Sequence, residues 1–441
     1  MEMMTKSATA LKECAEKAVV KVNKASVDIK VGARKAKSKI GKAIGYEQHI
    51  AFFGEDGSGK TTLLSVFYGK QQEFKFVREN GYSLLAEDTG DGKTLLDWYN
   101  LLKDANTVLP TRSFSHSYSF LVKPTFEPKR KGVLKIVWHD YPGEWLSGNY
   151  EHSVAEDQRR EETFKDLIKS DVAFVLVDGQ KLREQGGGYI KRFFSQLKDE
   201  LCRQMESMKS DLPLTYFPRV WTICLSKADL FPEWKIPNFR SEVLKFASDE
   251  IESLRMVLGR FVKHPEKMDF PNGYLLLSSA KHDPTTLKLI DWEKTIGVDC
   301  IAPISILAPI LSVIKWANIK EVSSGAVKSV LKVGAELCSS LSSWAPVVAA
   351  WMAAMVVWIP IVGKASSAVL LLGGFLVKAV LDSVALVMKG GSFGLQNMKD
   401  KAKAKKDALS YIVATFQGKL QECKDCRVYV ESEQDMKLLP K

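Results

Sequence analysis

Gly54-Glu-Asp-Gly57-Ser58-Gly59-Lys60-Thr61 has the residue types and the spacing to hold a polyphosphate. It fits G-x-x-x-x-G-K-[ST] without a gap. Glycines allow successive backbone N–H groups to curl around an anion, and a helix starting at once points its positive end at the same spot. Lys60 would reach the β- and γ-phosphates, the Thr61 hydroxyl would ligate Mg²⁺, and Thr62 would continue the lining in the first turn.

Further segments follow in the order that a nucleotide-hydrolysing switch requires. Leu134-Lys-Ile-Val-Trp-His-Asp140-Tyr-Pro-Gly143 is an apolar run ending in D-x-P-G. There Asp140 would hold Mg²⁺ through water, and the Gly143 N–H would sense the γ-phosphate. Glu144 stands where an attacking water could be oriented, or has a structural role. Ser226-Lys227-Ala228-Asp229 is close to N/T-K-x-D. Asp229 would accept from guanine N1–H and the 2-amino group, a bidentate pairing that adenine does not offer, while the Lys227 stem packs along the base. Ser226 departs from the usual Asn or Thr. Ser279-Ala280-Lys281 would present a backbone N–H to guanine O6. The Thr that closes over Mg²⁺ is read as Thr111, with Thr107 behind it, and Arg112 beside it as an arginine that could act in cis.

Asp140-Tyr-Pro-Gly-Glu-Trp145 together with Lys227-Ala-Asp229 resembles the YcjX-type bacterial P-loop GTPases and related GTPase modules of bacterial conflict and stress systems. The resemblance covers roughly the central 250 residues and rests on motifs alone. It implies GTP or GDP as ligand, Mg²⁺ as cofactor and a membrane-linked bacterial stress or defence pathway. Alternatives remain open: a nucleotide-gated scaffold, a membrane-perturbing effector with little turnover, or an ATPase.

The elements that must position these residues can be read from the same sequence. Apolar strands and helical runs alternate from about Tyr46 to Asp291, the pattern of an α/β fold. Strands are expected at 46–53, 115–124, 132–139, 171–178, 220–225 and 274–278. The runs at 171–178 and 220–225 are nearly all apolar, as in central parallel strands buried on both faces. The strands 115–124 and 132–139 read as a hairpin. Helices are expected at 60–69, 94–104, 156–170, 189–209 and 239–262, with a long polar insert between 69 and 94. The fold class expected is therefore a Ras-like P-loop GTPase domain with a mostly parallel sheet over 46–295. It is followed by an all-α hydrophobic region over 296–395 and a basic tail over 396–441.

The chain has 441 residues and a net charge of +11, suited to anionic lipid or an acidic partner as much as to nucleic acid. No motif for specific nucleic-acid recognition is present. Residues 1–45 form a basic arm with eleven Lys/Arg against four acids. Its apolar residues fall at helical spacing, for docking on a membrane or on its own domain. The first residues lack the apolar core of a secretory signal. The seven cysteines are scattered and suggest no disulfide framework, which points to a reducing cytoplasm. Cys423-Lys-Asp-Cys426 is read as a coincidence, with a redox pair as the alternative.

Trp344–Gly363 carries no charge, and Ala365–Met388 carries only Lys378 and Asp382. Each run is long enough to span a bilayer. Lysines flank the pair on both sides, as in a hairpin with both ends in the cytoplasm. The expectation is membrane association, with membrane lipid and a protein partner or self-association as contacts. A hairpin buried in protein is the alternative, favoured by Trp351 near mid-span. The location expected is the cytoplasmic side of a membrane, or the cytoplasm.

Overall fold

The structure, a computed structural model, describes residues 47–104, 115–127, 132–147, 154–209, 212–214, 219–262, 265, 268–317, 396, 399–400, 403–404 and 408–431. The basic arm, Thr107, Thr111 and Arg112, and the apolar runs at 344–388 lie outside the described residues.

The elements in chain order are β1 (Glu47–Phe53), α1 (Lys60–Lys70), α2 (Phe74–Asn80), β2 (Tyr82–Ala86), α3 (Thr89–Lys103), β3 (His116–Pro124), β4 (Leu134–Asp140) and α4 (Glu144–Ser147). They continue with α5 (Val154–Lys169), β5 (Val172–Asp178), α6 (Gly179–Gln185), α7 (Gly187–Ser207), β6 (Val220–Ser226), α8 (Ile236–Arg260) and β7 (Gly273–Leu276). The short strands β8 (Lys281–His282) and β9 (Leu289–Asp291), then α9 (Ile301–Ala317), α10 (Ala408–Asp425) and β10 (Tyr429–Val430), complete the set.

One eight-stranded sheet runs in the order β10-β7-β6-β5-β1-β4-β3-β2. Pairing is parallel across β1–β5, β5–β6 and β6–β7. It is antiparallel for β2–β3, β3–β4 and β10–β7. The expected hairpin of β3 and β4 is present, in the register Tyr118 to Trp138 and Phe120 to Ile136. Every residue of β5 and β6 is buried, which is why both read as unbroken apolar runs.

Successive residues of β1 point to opposite layers, as strand geometry requires. Phe52 stacks on Trp138, with ring centroids 4.2 Å apart, and on Phe174 at 4.8 Å. Phe53 faces the other layer and meets Trp221 at 5.1 Å. That second layer holds α7 and α8. Phe193, Phe194, Leu197 and Leu201 of α7 and Phe239, Val243, Leu254 and Leu258 of α8 join one core with Phe53, Val175 and Ile223. Burying each such aromatic or aliphatic side chain stabilises by about 1.5–3 kcal/mol, so the P-loop strand is clamped from both faces.

Several findings differ from the sequence expectations. The stretch read as a polar insert holds α2 and β2. Tyr82 and Leu84 of β2 are buried while Ser83 and Leu85 between and after them are more exposed, too short an alternation to stand out. The expected hydrophobic region does not begin as a separate layer. Cys300, Ile301, Ile304, Ser305 and Ile306 are buried, and α9 packs against β5, β6 and α10. Within the segment read as a basic tail, α10 buries Tyr411, Ile412 and Phe416, and Tyr429 and Val430 add an edge strand to the sheet. The expectation of no disulfide is corrected by a bond between Cys300 and Cys423, whose Cα atoms lie 6.6 Å apart and 123 residues apart in sequence. A pairing of that separation leaves no spacing signal. Cys426 is a free thiol, consistent with a coincidental C-x-x-C. Among the described residues, no helix is long and apolar enough to cross a membrane.

Candidate functional site

The loop from Gly54 to Gly59 leaves the end of β1 and enters α1 at Lys60. Gly57 has φ 76° and Gly59 φ 88°, the left-handed region that glycine adopts at little cost. A side chain at either position would strain the turn that aims the loop's N–H groups inward. Ser58 is fully buried and its hydroxyl has no hydrogen-bond partner among the described atoms. Its side chain packs beside Gly54 and Leu176 of β5, which anchors the loop on the core.

Lys60 is buried, and its ammonium donates to Gly54 O at 2.7 Å and Glu55 O at 3.1 Å. Burial lowers its pKa to about 8, although the Asp140 and Asp56 carboxylates pull it upward. The lysine therefore folds back on the loop that it would serve, held by carbonyls that a phosphate would replace. Glu55 in the same loop is held by Lys181 of α6 at 2.7 Å. The sequence reading missed this pair, because α6 is short and polar.

Asp140, at the end of β4, is 1% exposed and accepts from the Thr61 hydroxyl at 3.1 Å. Mg²⁺ is typically held by one or two protein oxygens together with phosphates and water. The Thr61–Asp140 pair supplies that hard-oxygen set, so the residues fit the ion. Gly143 lies against the loop: a Cβ there would fall 2.5 Å from Asp56 Cα and from the Glu55 carbonyl carbon. Only hydrogen at that position allows the D-x-P-G segment to touch the phosphate loop. Glu144 opens α4 directly after it and is half-buried. Tyr141 is buried between these parts, and its hydroxyl accepts from Gly54 N at 3.0 Å. The Lys60 ammonium stands 5.0 Å from the centre of the Tyr141 ring.

The second half of the site lies at the ends of β5, β6 and β7. Lys227 takes the left-handed conformation, φ 51°. Its ammonium meets the Asp178 carboxylate at 3.0 Å and Gln180 at 3.1 Å, which ties the end of β6 to the start of α6. Ser226 is buried and donates to Val177 O at 3.3 Å, so its hydroxyl serves the β5–β6 junction.

Asp229 is nearly buried and accepts from three donors: the Ser278 hydroxyl, the His282 backbone N–H at 2.8 Å and His282 Nδ1 at 3.1 Å. Burial pushes this carboxyl upward, but the donors from His282 and Ser278 outweigh it and hold it below its ordinary value. Asp229 therefore stays ionised, as an acceptor of N–H donors must. Ser278, not Ser279, reaches Asp229. Ala280 is buried, Ser279 is half-buried and Lys281 is exposed. Ser278 and His282 were missed because neither belongs to the short motif. A serine one residue before S-A-K and a histidine directly after it were the available signals. Thr62 lies half-buried in the first turn of α1.

The structure thus gathers the phosphate loop, Thr61, Asp140 and Gly143 in one place. It collects Lys227, Asp229, Ser278 and Ala280 at the ends of neighbouring strands of the same sheet, where ligands of open α/β folds bind.

Residues 48–258 match the family model Double-GTPase 2. The match bears out the resemblance carried by the D-Y-P-G-E-W and K-A-D segments, and it supports a guanine-nucleotide-binding module. No curated protein matches the chain at a significant level. Among solved structures, the chain is similar to the signal recognition particle receptor SRb-GTP/SRX complex from Chaetomium thermophilum. Identity is 20%, over 53% of this chain and 90% of that one, with a TM-score of 0.30. It is also similar to the FeoB G-domain from Methanococcus jannaschii, at 15% identity over 53% and 87%, with a TM-score of 0.19. The S. cerevisiae Ski7 GTPase-like domain, bound to GDP and inorganic phosphate, is 11% identical over 64% and 52%, with a TM-score of 0.25.

Proposed function

We propose that this chain is a Mg²⁺-dependent switch that binds and hydrolyses GTP. The observation that carries the reading is one end of the sheet, where the structure sets a P-loop with two left-handed glycines, the Thr61–Asp140 oxygen pair and the ionised Asp229. The P-loop amides and Lys60 would hold the β- and γ-phosphates. Thr61 and Asp140 would hold the metal, whose chemistry when bound is to neutralise charge on the phosphate oxygens. Gly143 touches the loop at Asp56 and Glu55, so filling the phosphate site would bear directly on the segment Asp140–Ser147. Glu144, at the start of α4, would orient the attacking water. Asp229 would read the base, and its fixed negative charge disfavours adenine, which offers it no paired donors.

The basic arm and the apolar runs at 344–388 would attach this switch to a membrane in a bacterial stress or defence pathway. Run length and flanking lysines support the membrane attachment, and the pathway rests on the resemblance carried by the D-Y-P-G-E-W and K-A-D segments. The test of the nucleotide reading is base selectivity. Asp229→Asn should weaken GDP and strengthen xanthosine diphosphate, measured by competition with a fluorescent nucleotide. Unchanged selectivity would overturn it.

A further inference from the structure

We propose that the His282 imidazole competes with guanine for the Asp229 carboxylate, and so sets both affinity and the ability to tell guanine from hypoxanthine. The inference rests on the guanine-nucleotide reading above and names a specificity-determining residue within the same site.

The argument is a count of lone pairs. An ionised carboxylate offers about four acceptor positions, two on each oxygen. Asp229 already receives three donors. On one oxygen it takes the Ser278 hydroxyl. On the other it takes the His282 backbone N–H at 2.8 Å and His282 Nδ1 at 3.1 Å. Ser278 Oγ also lies 2.6 Å from Ala280 O, but a hydroxyl has one proton and the charged acceptor is the stronger. An ionised carboxylate cannot donate, so Nδ1 carries the ring proton in this contact. One acceptor position is left. Guanine brings two donors, N1–H and the 2-amino group, so a complete pairing exceeds the available positions by one.

The donor that can leave is the ring. The backbone N–H of His282 is fixed by a hairpin of β8 and β9, whose turn is held by Asp283 accepting from Thr285 N at 2.8 Å and Thr286 N at 2.7 Å. Ser278 is buried beneath the carboxylate. The His282 side chain is 29% exposed, so it can rotate outward. Guanine binding therefore costs one charge-assisted hydrogen bond before its second is made. Hypoxanthine has N1–H but no 2-amino group, fits the one remaining position, and leaves the ring in place.

The test titrates the full chain with GDP and with inosine diphosphate, in wild type and in three variants. His282→Ala removes the ring donor and keeps the backbone one. His282→Phe removes the donor and fills the ring's space, and decides the matter if the alanine variant does not fold. His282→Asn restores an N–H at the Nδ1 position. Wild type should bind the two nucleotides within about twofold of each other. His282→Ala and His282→Phe should bind GDP about tenfold more tightly, with inosine diphosphate little changed, and His282→Asn should behave as wild type. If GDP binds but its affinity is unchanged or weaker in the alanine and phenylalanine variants, the inference is wrong and the guanine reading stands. Equal gains for both nucleotides overturn the inference as well. If neither nucleotide binds any form, it is the guanine reading that has failed.

Discussion

The Gly54 N–H donates to the Tyr141 hydroxyl at 3.0 Å. The first glycine of the phosphate loop is therefore satisfied by the residue that follows Asp140. Tyr141 is 1% exposed, and its ring packs between Phe53, Trp145 and Phe164. Burial pushes its phenol well above the ordinary value, so it is a neutral hydrogen-bonding partner at every working pH. The P-loop and the D-Y-P-G segment are joined through the core rather than through solvent.

Tyr141→Phe should therefore cost stability. It keeps the ring and leaves Gly54 N–H buried without a partner. An unsatisfied buried donor costs about 1–3 kcal/mol, so the urea midpoint should fall by a matching amount with the slope unchanged. A midpoint equal to wild type would show that the loop does not depend on this contact.

Gly143→Ala should impair the switch more than its size suggests. The added methyl meets backbone of Glu55 and Asp56, not a flexible side chain, so one of the two loops must move. Overpacking of this kind costs about 1–3 kcal/mol, and if that cost falls on the nucleotide-bound form, affinity for GTP drops by about fivefold to a hundredfold. A nucleotide titration showing full affinity would mean that the segments can separate without loss.

Lys60 gives a pH dependence with a definite sign. Its pKa is about 8 in the folded chain against an ordinary 10.5. The unfolded chain binds more protons between those values, so unfolding free energy should rise as pH climbs from about 8 toward 10.5. Nucleotide affinity should move the other way. A phosphate requires the charged ammonium, so above about 8 binding must take up a proton, and affinity should fall by up to about tenfold per pH unit. Lys181 depresses Lys60 further, so Lys181→Ala should shift the onset of that fall to higher pH. An affinity that is flat from pH 7 to 10 would remove Lys60 from phosphate binding (about one unit below and two above the folded pKa).

Much of this fold was legible because the signals were local. The P-loop stands between an apolar strand and a helix, and β5 and β6 are runs too apolar for a surface. What was not legible depends on distance along the chain. Tyr429 pairs with Leu275, and Cys300 with Cys423, and neither leaves a mark on neighbouring residues. In the site, Asp229 was found by its motif, while its partners Ser278 and His282 come from a loop whose path only the folded sheet reveals. Tyr141 stands inside a legible hexapeptide, but a tyrosine after Asp140 does not tell which backbone group its hydroxyl will meet.

The central claim is that a guanine nucleotide binds at the amino end of α1, and calorimetry of the full chain with Mg²⁺ tests it most directly. The account predicts one site per chain for GTP and GDP, ATP weaker by about a hundredfold or more, and loss of the signal in Lys60→Ala. Heat of binding that is absent with the intact chain, or equal for GTP and ATP, would contradict it.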